Sequence, residues 1–401
     1  MITKDFLKKR YRQIGLFGGG ILVIILLIFF LYQPDYYKGF NENETNVKDT
    51  LVTGNTVRIN GKDVYETAAA ISQITYPATF DDDKPNAVIL VRSDKKADSI
   101  AAAGVIHHPI NAPILYIEKD NIPKATLKEI ERLDPQGVFV DNNVKIYLIG
   151  DIGDNIKKEL KEEKWKYRHI EGKDPFTLGK NINDFIAAIH GDHSDVVMVA
   201  PIEKPEYGLA QASWNAHMGD GFFYIKKDEV PKETAKALEE RYEDAYIYIL
   251  GNKNSITENV QAQLAKFGHI QWIPGNEDVY KQSVGFAGYK DIGKNFGWWI
   301  NKRHRDFGWG IAEAGHNFIF VNPKDWQIAV SASVLSHKGK HGPILLVKDD
   351  ELPEDIKNYL KTVKPVRTTS QEQLYNHGWI IGGTDSISEK IQGEIDSLLS
   401  Y

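Results

Sequence analysis

The sequence predicts an α/β protein of three related modules, each with an open parallel sheet, preceded by one transmembrane helix. Three observations carry this. An apolar strand, an acidic turn and a helix-opening proline recur as PILYIEKDNIP (Pro113–Pro123), GFFYIKKDEVP (Gly221–Pro231) and PILLVKDDELP (Pro343–Pro353). A second stretch also recurs: a strand ending in Gly150, Gly251 or Gly382, then a helix start reading DIGDNIKKEL, SITENVQAQL or SISEKIQGEI. The copies are about a hundred residues apart, too long for a solenoid unit and suited to a small domain. Finally, apolar runs alternate with helical patterns along the body, which implies βαβ units and sheets covered on both faces.

Taken in order, residues 1–13 form a basic tail, with Lys4, Lys8, Lys9, Arg10 and Arg12 against Asp5. Residues 14–33 follow as a signal anchor. Their run IGLFGGGILVIILLIFFLY is uncharged and long enough to cross a bilayer as a helix. Basic residues before it place the N-terminus in the cytoplasm and the body outside the cell membrane. A cleaved signal peptide is the rival, but no small-x-small site follows the run. Residues 34–55 are polar and read as a linker.

Module 1 spans 56–167. It opens with the strand VRI (57–59) and a helix over 65–74. AVILVRS (87–93) is a continuous apolar run, as in a strand buried on both faces. An Ala-rich helix follows, then ILYI (114–117), read as a central strand, a helix from Pro123, and strands GVFV (137–140) and KIYLI (145–149). Module 2 spans 168–268 and repeats the order in degenerate form. Module 3 spans 269–401 and begins with an irregular stretch rich in Gly, Trp and basic residues. Asp151, Ser255 and Ser386 read as helix N-caps, the two serines in capping boxes with Glu258 and Glu389. Asp120, Asp228 and Asp350 read as acids placed favourably near helix N-termini rather than as catalysts.

Composition excludes several functions. The chain has no cysteine, so disulfides, zinc-thiolate sites and thiol catalysis are out. The net charge is -6 and the tail is basic, so the body is more acidic still, which argues against nucleic-acid binding. No dinucleotide fingerprint, Walker loop, H-E-x-x-H pair or nucleophile elbow occurs. The histidines His190, His193, His337 and His341 read as loop or surface residues. The reading is therefore of a non-enzyme, with no cofactor and no metal. The most unusual surface candidate is WWINKRHRDFGW. It sets Trp298, Trp299 and Trp309 around Lys302, Arg303, His304 and Arg305. Aromatic faces stack on sugars and Arg pairs with phosphate or carboxylate, which suits an anionic glycan.

The opening of module 1, Arg58-Ile-Asn-Gly61-Lys-Asp63-Val-Tyr65-Glu66-Thr67-Ala68, resembles the type 2 cell-wall-binding repeat, with Val64 where that family has Arg. The Ala-rich helix from Lys96, the PILL-type strands Pro113–Tyr116 and Pro343–Leu346, and Gly382-Gly383 with Ile387-Ser388 and Ile391 match its other motifs. Module 2 matches least, and module 3 shows no recognisable opening. The resemblance implies Rossmann-like modules without nucleotide, packed as a compact pseudo-threefold triangle. It also implies non-covalent binding of an anionic cell-wall polymer through the PILL segments. By resemblance the contacts are Pro113, Ile114, Leu115 and Tyr116, with Pro343, Ile344, Leu345 and Leu346. Trp298, Trp299, Arg303 and Arg305 are the further candidates from composition. The alternative is an envelope scaffold that binds a protein partner through degenerate modules.

Overall fold

The computed structural model describes residues 52–292, 306–368 and 373–401. The apolar run 14–33 lies outside them; among the described residues no helix is long and apolar enough to cross a membrane. In chain order the elements begin with β1 (Thr56–Ile59), α1 (Val64–Thr75), β2 (Val88–Arg92), α2 (Lys96–Ala102), β3 (Ile114–Ile117), α3 (Lys124–Leu133), β4 (Ile146–Ile149), α4 (Asp154–Glu162) and β5 (Tyr167–Ile170). The second set is α5 (Pro175–His190), β6 (Val196–Pro201), α6 (Leu209–Met218), β7 (Gly221–Ile225), α7 (Lys232–Glu239), β8 (Ala245–Ile249), α8 (Glu258–Leu264) and β9 (Gly268–Trp272). The third is α9 (Val279–Gly288), β10 (Asn317–Val321), α10 (Trp326–Ala332), α11 (Val334–His337), β11 (Ile344–Leu346), α12 (Glu354–Thr362), β12 (His377–Ile381) and α13 (Glu389–Leu399).

Three parallel four-stranded sheets result, ordered β3-β2-β4-β5, β7-β6-β8-β9 and β11-β10-β12-β1. The sheets do not divide where the sequence suggests. β1 does not open the first sheet; it lies beside β12, Arg58 opposite Ile380, and completes the third. β5 and β9 fill the same place in the first and second sheets, so each module ends one strand later than expected. The first strand of the chain thus closes the ring of modules.

A buried arginine fixes that closure. Arg58 is fully buried. Its Nε donates to Gln392 Oε1 at 2.9 Å and its Nη1 to the Gly382 and Gly383 carbonyls at 2.8 and 2.9 Å. Nη2 donates to the Ile387 carbonyl at 2.7 Å. No carboxylate touches it. Burial pulls its pKa below the usual value, against Glu389 and Asp385, which raise it. The Asn55 amide and the Thr53 hydroxyl donate to Asp396 on α13, so the chain ahead of β1 is held as well.

Sheet alternation sorts each strand between two cores. In β10 and β11, Phe318, Phe320 and Leu345 face the outer helices of their own module. Ile319, Val321, Ile344 and Leu346 face a central core shared by all three modules. The helices that follow the second strand of each sheet, α2, α6 and α10–α11, meet at that centre, which is why they are rich in Ala.

Two local expectations change. Residues 137–140 form no strand. Val138 makes a single bridge to Val144, and Phe139–Asp141 is a 3₁₀ turn ending in left-handed Asn142 and Asn143. The helix caps lie two residues later than expected, at Gly153, Thr257 and Ser388. The Thr257 and Ser388 hydroxyls accept from the Val260 and Ile391 amides.

Arg58→Met would leave buried carbonyls at Gly382, Gly383 and Ile387 without their donor. Each unsatisfied acceptor costs about 1–3 kcal/mol, so the variant should lose at least about 3 kcal/mol of stability. Urea unfolding measures this; an unchanged midpoint would mean that β1 is not a structural closure.

Candidate functional site

Each module has two ends. At the strand-exit end, strands run into the turns that open the next helix. At the helix-return end, helices turn back into strands. The three modules point the same way, because their central helices bring equivalent histidines together. His107, His217 and His337 each sit at the end of one of these helices. The His107 and His337 rings are 5.5 Å apart, and a side-chain carbon at Gly219 would lie 3.1 Å from the His107 ring.

The PILL segments are not on the surface. β3, β7 and β11 are edge strands rather than central ones, yet their edges are covered by the next module. The Tyr116 hydroxyl donates to the Gln327 carbonyl at 2.7 Å, and that of Tyr224, at the same strand position, to the Ala97 carbonyl at 3.2 Å. Gln327 and Ala97 are both second residues of central helices. In β11 the Ile344 amide donates to Ser213 Oγ of module 2 and the Leu346 amide to Ser283 Oγ. Pro113, Ile114, Leu115, Tyr116, Pro343, Ile344, Leu345 and Leu346 are all buried. Their side chains join modules.

The strand-exit end is acid-rich. The recurrent turns place Asp120, Asp228 and Asp350 there, with Glu118, Glu229 and Glu351 beside them. Lys226 and Lys348 are paired within their own turns, to Glu229 at 3.0 Å and Glu351 at 2.8 Å. Arg92, at the end of β2, is claimed by Asp94 at 2.6 Å and Asp151 at 3.0 Å. Asp350 accepts from the Ser388 hydroxyl at 3.0 Å, so it lies at the N-terminus of the module's last helix rather than the one that follows it. An anionic chain approaching here meets its own sign of charge.

The helix-return end differs. Trp298, Trp299, Arg303 and Arg305 lie outside the described residues. The last member of their segment, Trp309, is described. The ring stacks on His217 at 5.9 Å and meets Trp214 edge-on at 5.4 Å, and its Nε1 is buried with no hydrogen-bond partner among the described residues. His341 lies edge-on to His217 at 4.5 Å. The same loop carries Lys338, held 5.4 Å over the Tyr76 ring, and Lys340, whose pKa burial and Lys338 lower. Aromatic faces and lysines are the groups that grip an acidic sugar polymer.

His190 and His341 are exposed, as expected, whereas His337 is half-buried. His190 and His337 flank the His107 ring, at 5.8 and 5.5 Å. Sequence reading missed His107 and His217; the signal was their shared position at the end of each Ala-rich helix. It also missed the opening of module 3. Gly61, Gly172 and Gly275 each press on the first turn of the next helix, and Asp63, Asp174 and Asp278 cap those helices.

Among the described residues no group of His, Asp or Glu is placed to hold a metal ion. A cavity of about 20 Å³ between modules 1 and 2, against Asn183, Asn215, Asp220 and Arg241, has room for one water, not a substrate.

Two predictions come from this geometry. Leu345→Ala should lower stability by about 2–5 kcal/mol. Where it remains folded, it should bind walls as the wild type does; selective loss of binding would place the segment at the polymer after all. Burial and neighbouring histidines hold His107 and His337 down at about 4. Their ordinary value is about 6.5, so the unfolded chain binds more protons between these limits. Their stabilisation is complete above about pH 6.5 and is lost as pH falls toward 4, at most about 3 kcal/mol each and less for these part-exposed rings. His107→Gln with His337→Gln should flatten the acid side of a melting-temperature profile; an unaltered profile would refute the assignment.

Comparison with known proteins agrees with the fold. The family model for cell wall binding domain 2 (CWB2) matches residues 58–155 and 294–392. The amidase enhancer of Bacillus subtilis (strain 168) is 24% identical over 348 residues, which cover 86% of this chain and 41% of that protein. Cwp8 from Clostridium difficile superposes with a TM-score of 0.64 at 18% identity, over 86% of this chain and 52% of that one. Cwp6 from the same organism gives 0.67 at 17%, over 90% and 50%. The chain thus spans about half the length of these relatives or less.

Proposed function

We propose, on the premise that this chain belongs to the cell wall binding domain 2 family, that it is a non-catalytic cell-surface protein that binds an anionic wall polymer. Residues 14–33 tether it to the membrane. The observation that carries the reading is the ring of three α/β modules, two of which the family model matches. The polymer meets the helix-return end, around Trp309, Lys338 and Lys340, because the acidic turns repel it from the other. The buried PILL segments contribute by holding the modules in register.

The test is co-sedimentation of residues 34–401 with purified walls, beside walls stripped of secondary polymers. Binding should be lost on stripping and should weaken with salt. Failure to sediment with intact walls would refute the reading. A second reading, an accessory role toward a wall-cleaving enzyme, is favoured by the name of the amidase enhancer relative. Salt-insensitive capture of such an enzyme, without wall binding, would establish it instead.

A further inference from the structure

Among the described residues, the large apolar side chains left well exposed all lie at the helix-return end. The most exposed occupy the same connection in each module, just before the third strand. The three highest are Tyr242 (90%) ahead of β8, Phe139 (87%) ahead of β4, with Val140 beside it, and Val366 (73%) ahead of β12; Ile292 (72%) follows in the connection ahead of β10. The strand-exit end carries none.

These tips are held out by buried polar groups beneath them. Asp141, next to Val140, is buried and accepts from the Tyr147 hydroxyl at 3.0 Å and Arg168 Nε at 2.6 Å. Arg241, next to Tyr242, is also buried. It donates to the Ser194 and Ala237 carbonyls and to Asn183 Oδ1, all at 2.7 Å. The turns continue through left-handed residues, Asn142 and Asn143 in one and Tyr242 and Glu243 in the other. The fold therefore fixes both turns with the apolar residue facing water.

We infer that the helix-return end rests on the bilayer surface, with Phe139, Val140, Tyr242 and Val366 entering the headgroup region. The exposed side chains come from all three modules, and those of the third gather: Gln373 donates to the Val366 and Leu374 carbonyls, and the Tyr375 ring meets Tyr401 at 6.0 Å. A bilayer accepts aromatic and aliphatic side chains spread over several turns. The described chain also enters at this end, at Val52 ahead of β1. Residues 34–51 reach at most about 60 Å when extended. Single side chains bind a membrane weakly, so the contact depends on a tether that keeps the local lipid concentration high. The inference thus rests on the membrane-tether reading above. Its consequence is that polymer is gripped at the membrane surface rather than out in the wall.

The absence of cysteine makes single-site labelling direct. The full chain would be reconstituted in vesicles of phosphatidylethanolamine and phosphatidylglycerol. It would carry an environment-sensitive dye at Val140→Cys, Tyr242→Cys or, for reference, Asp228→Cys at the opposite end. The first two dyes should blue-shift and be quenched by lipids with brominated chains; the third should do neither. Adding Phe139→Asp should reduce quenching at position 140 while the protein still floats with the vesicles. Flotation with all three dyes in water would overturn this inference and leave the tether intact. Failure to float would overturn both. Blue-shifted dyes that brominated lipid does not quench would mean a second copy or another protein covers this end, which also overturns it.

Discussion

The fold depends on a closure made by its first strand. β1 supplies the last strand of the third sheet, and Arg58 reaches Gln392, 334 residues away in sequence. Without β1 the third sheet would present an unpaired edge beside a cluster of buried carbonyls. A fully buried arginine with no contacting carboxylate is costly on its own. Here main-chain carbonyls and one amide oxygen satisfy the guanidinium, so its fork geometry specifies the partner strand as well as stabilising it. The closure also makes the modules interdependent. None carries all four strands as one continuous chain segment except the first and second, and the third exists only after both ends of the body have met. Such non-local pairing is slow to form.

The buried edges complete this logic. An edge strand with unpaired amides invites association with other chains. β3, β7 and β11 avoid it by turning their edges inward; Ser331 bonds to the backbone of β3, and Ser213 and Ser283 to that of β11. This accounts for the apolar character of the PILL-type strands on both faces. One face packs on the module's own outer helices and the other on its neighbours. Continuous apolar runs are usually taken for central strands, and here the same pattern arises at edges because the modules surround them.

Much of the architecture was legible. The three-module count followed from the acidic turn and its proline, which recur because every module makes the same exit from its edge strand. What was not legible was which strand belongs to which sheet. VRI at 57–59 stands next to α1 in sequence, and only its hydrogen bonds to β12 reveal its allegiance. The opening of module 3 was hidden, and that of module 2 blurred, because their residues vary while the constraint stays fixed. A glycine must pass close to the next helix and an aspartate must cap it, as Gly172 with Asp174 and Gly275 with Asp278 show. The candidate site was less legible. Trp309 stood out by composition, but its stacking on His217 joins residues from different modules, and no local pattern announces that.

The two ends of the ring differ chemically, and the difference has a single origin. Parallel strands all exit on one side, so the turns that start helices collect there, and helix N-termini favour acids. The opposite side collects helix C-termini, where His107, His190, His217 and His337 stand and where lysines such as Lys338 and Lys340 follow. In one module this polarity would be a modest dipole effect. With three modules aligned by their central helices, it becomes a property of the whole body: one end gathers the acidic turns, the other the histidines, Lys338, Lys340 and the exposed apolar turns beside carboxylates of its own, among them Asp81, Asp82 and Glu243. A protein built this way has its orientation toward charged and apolar surroundings set by topology before any individual contact is chosen.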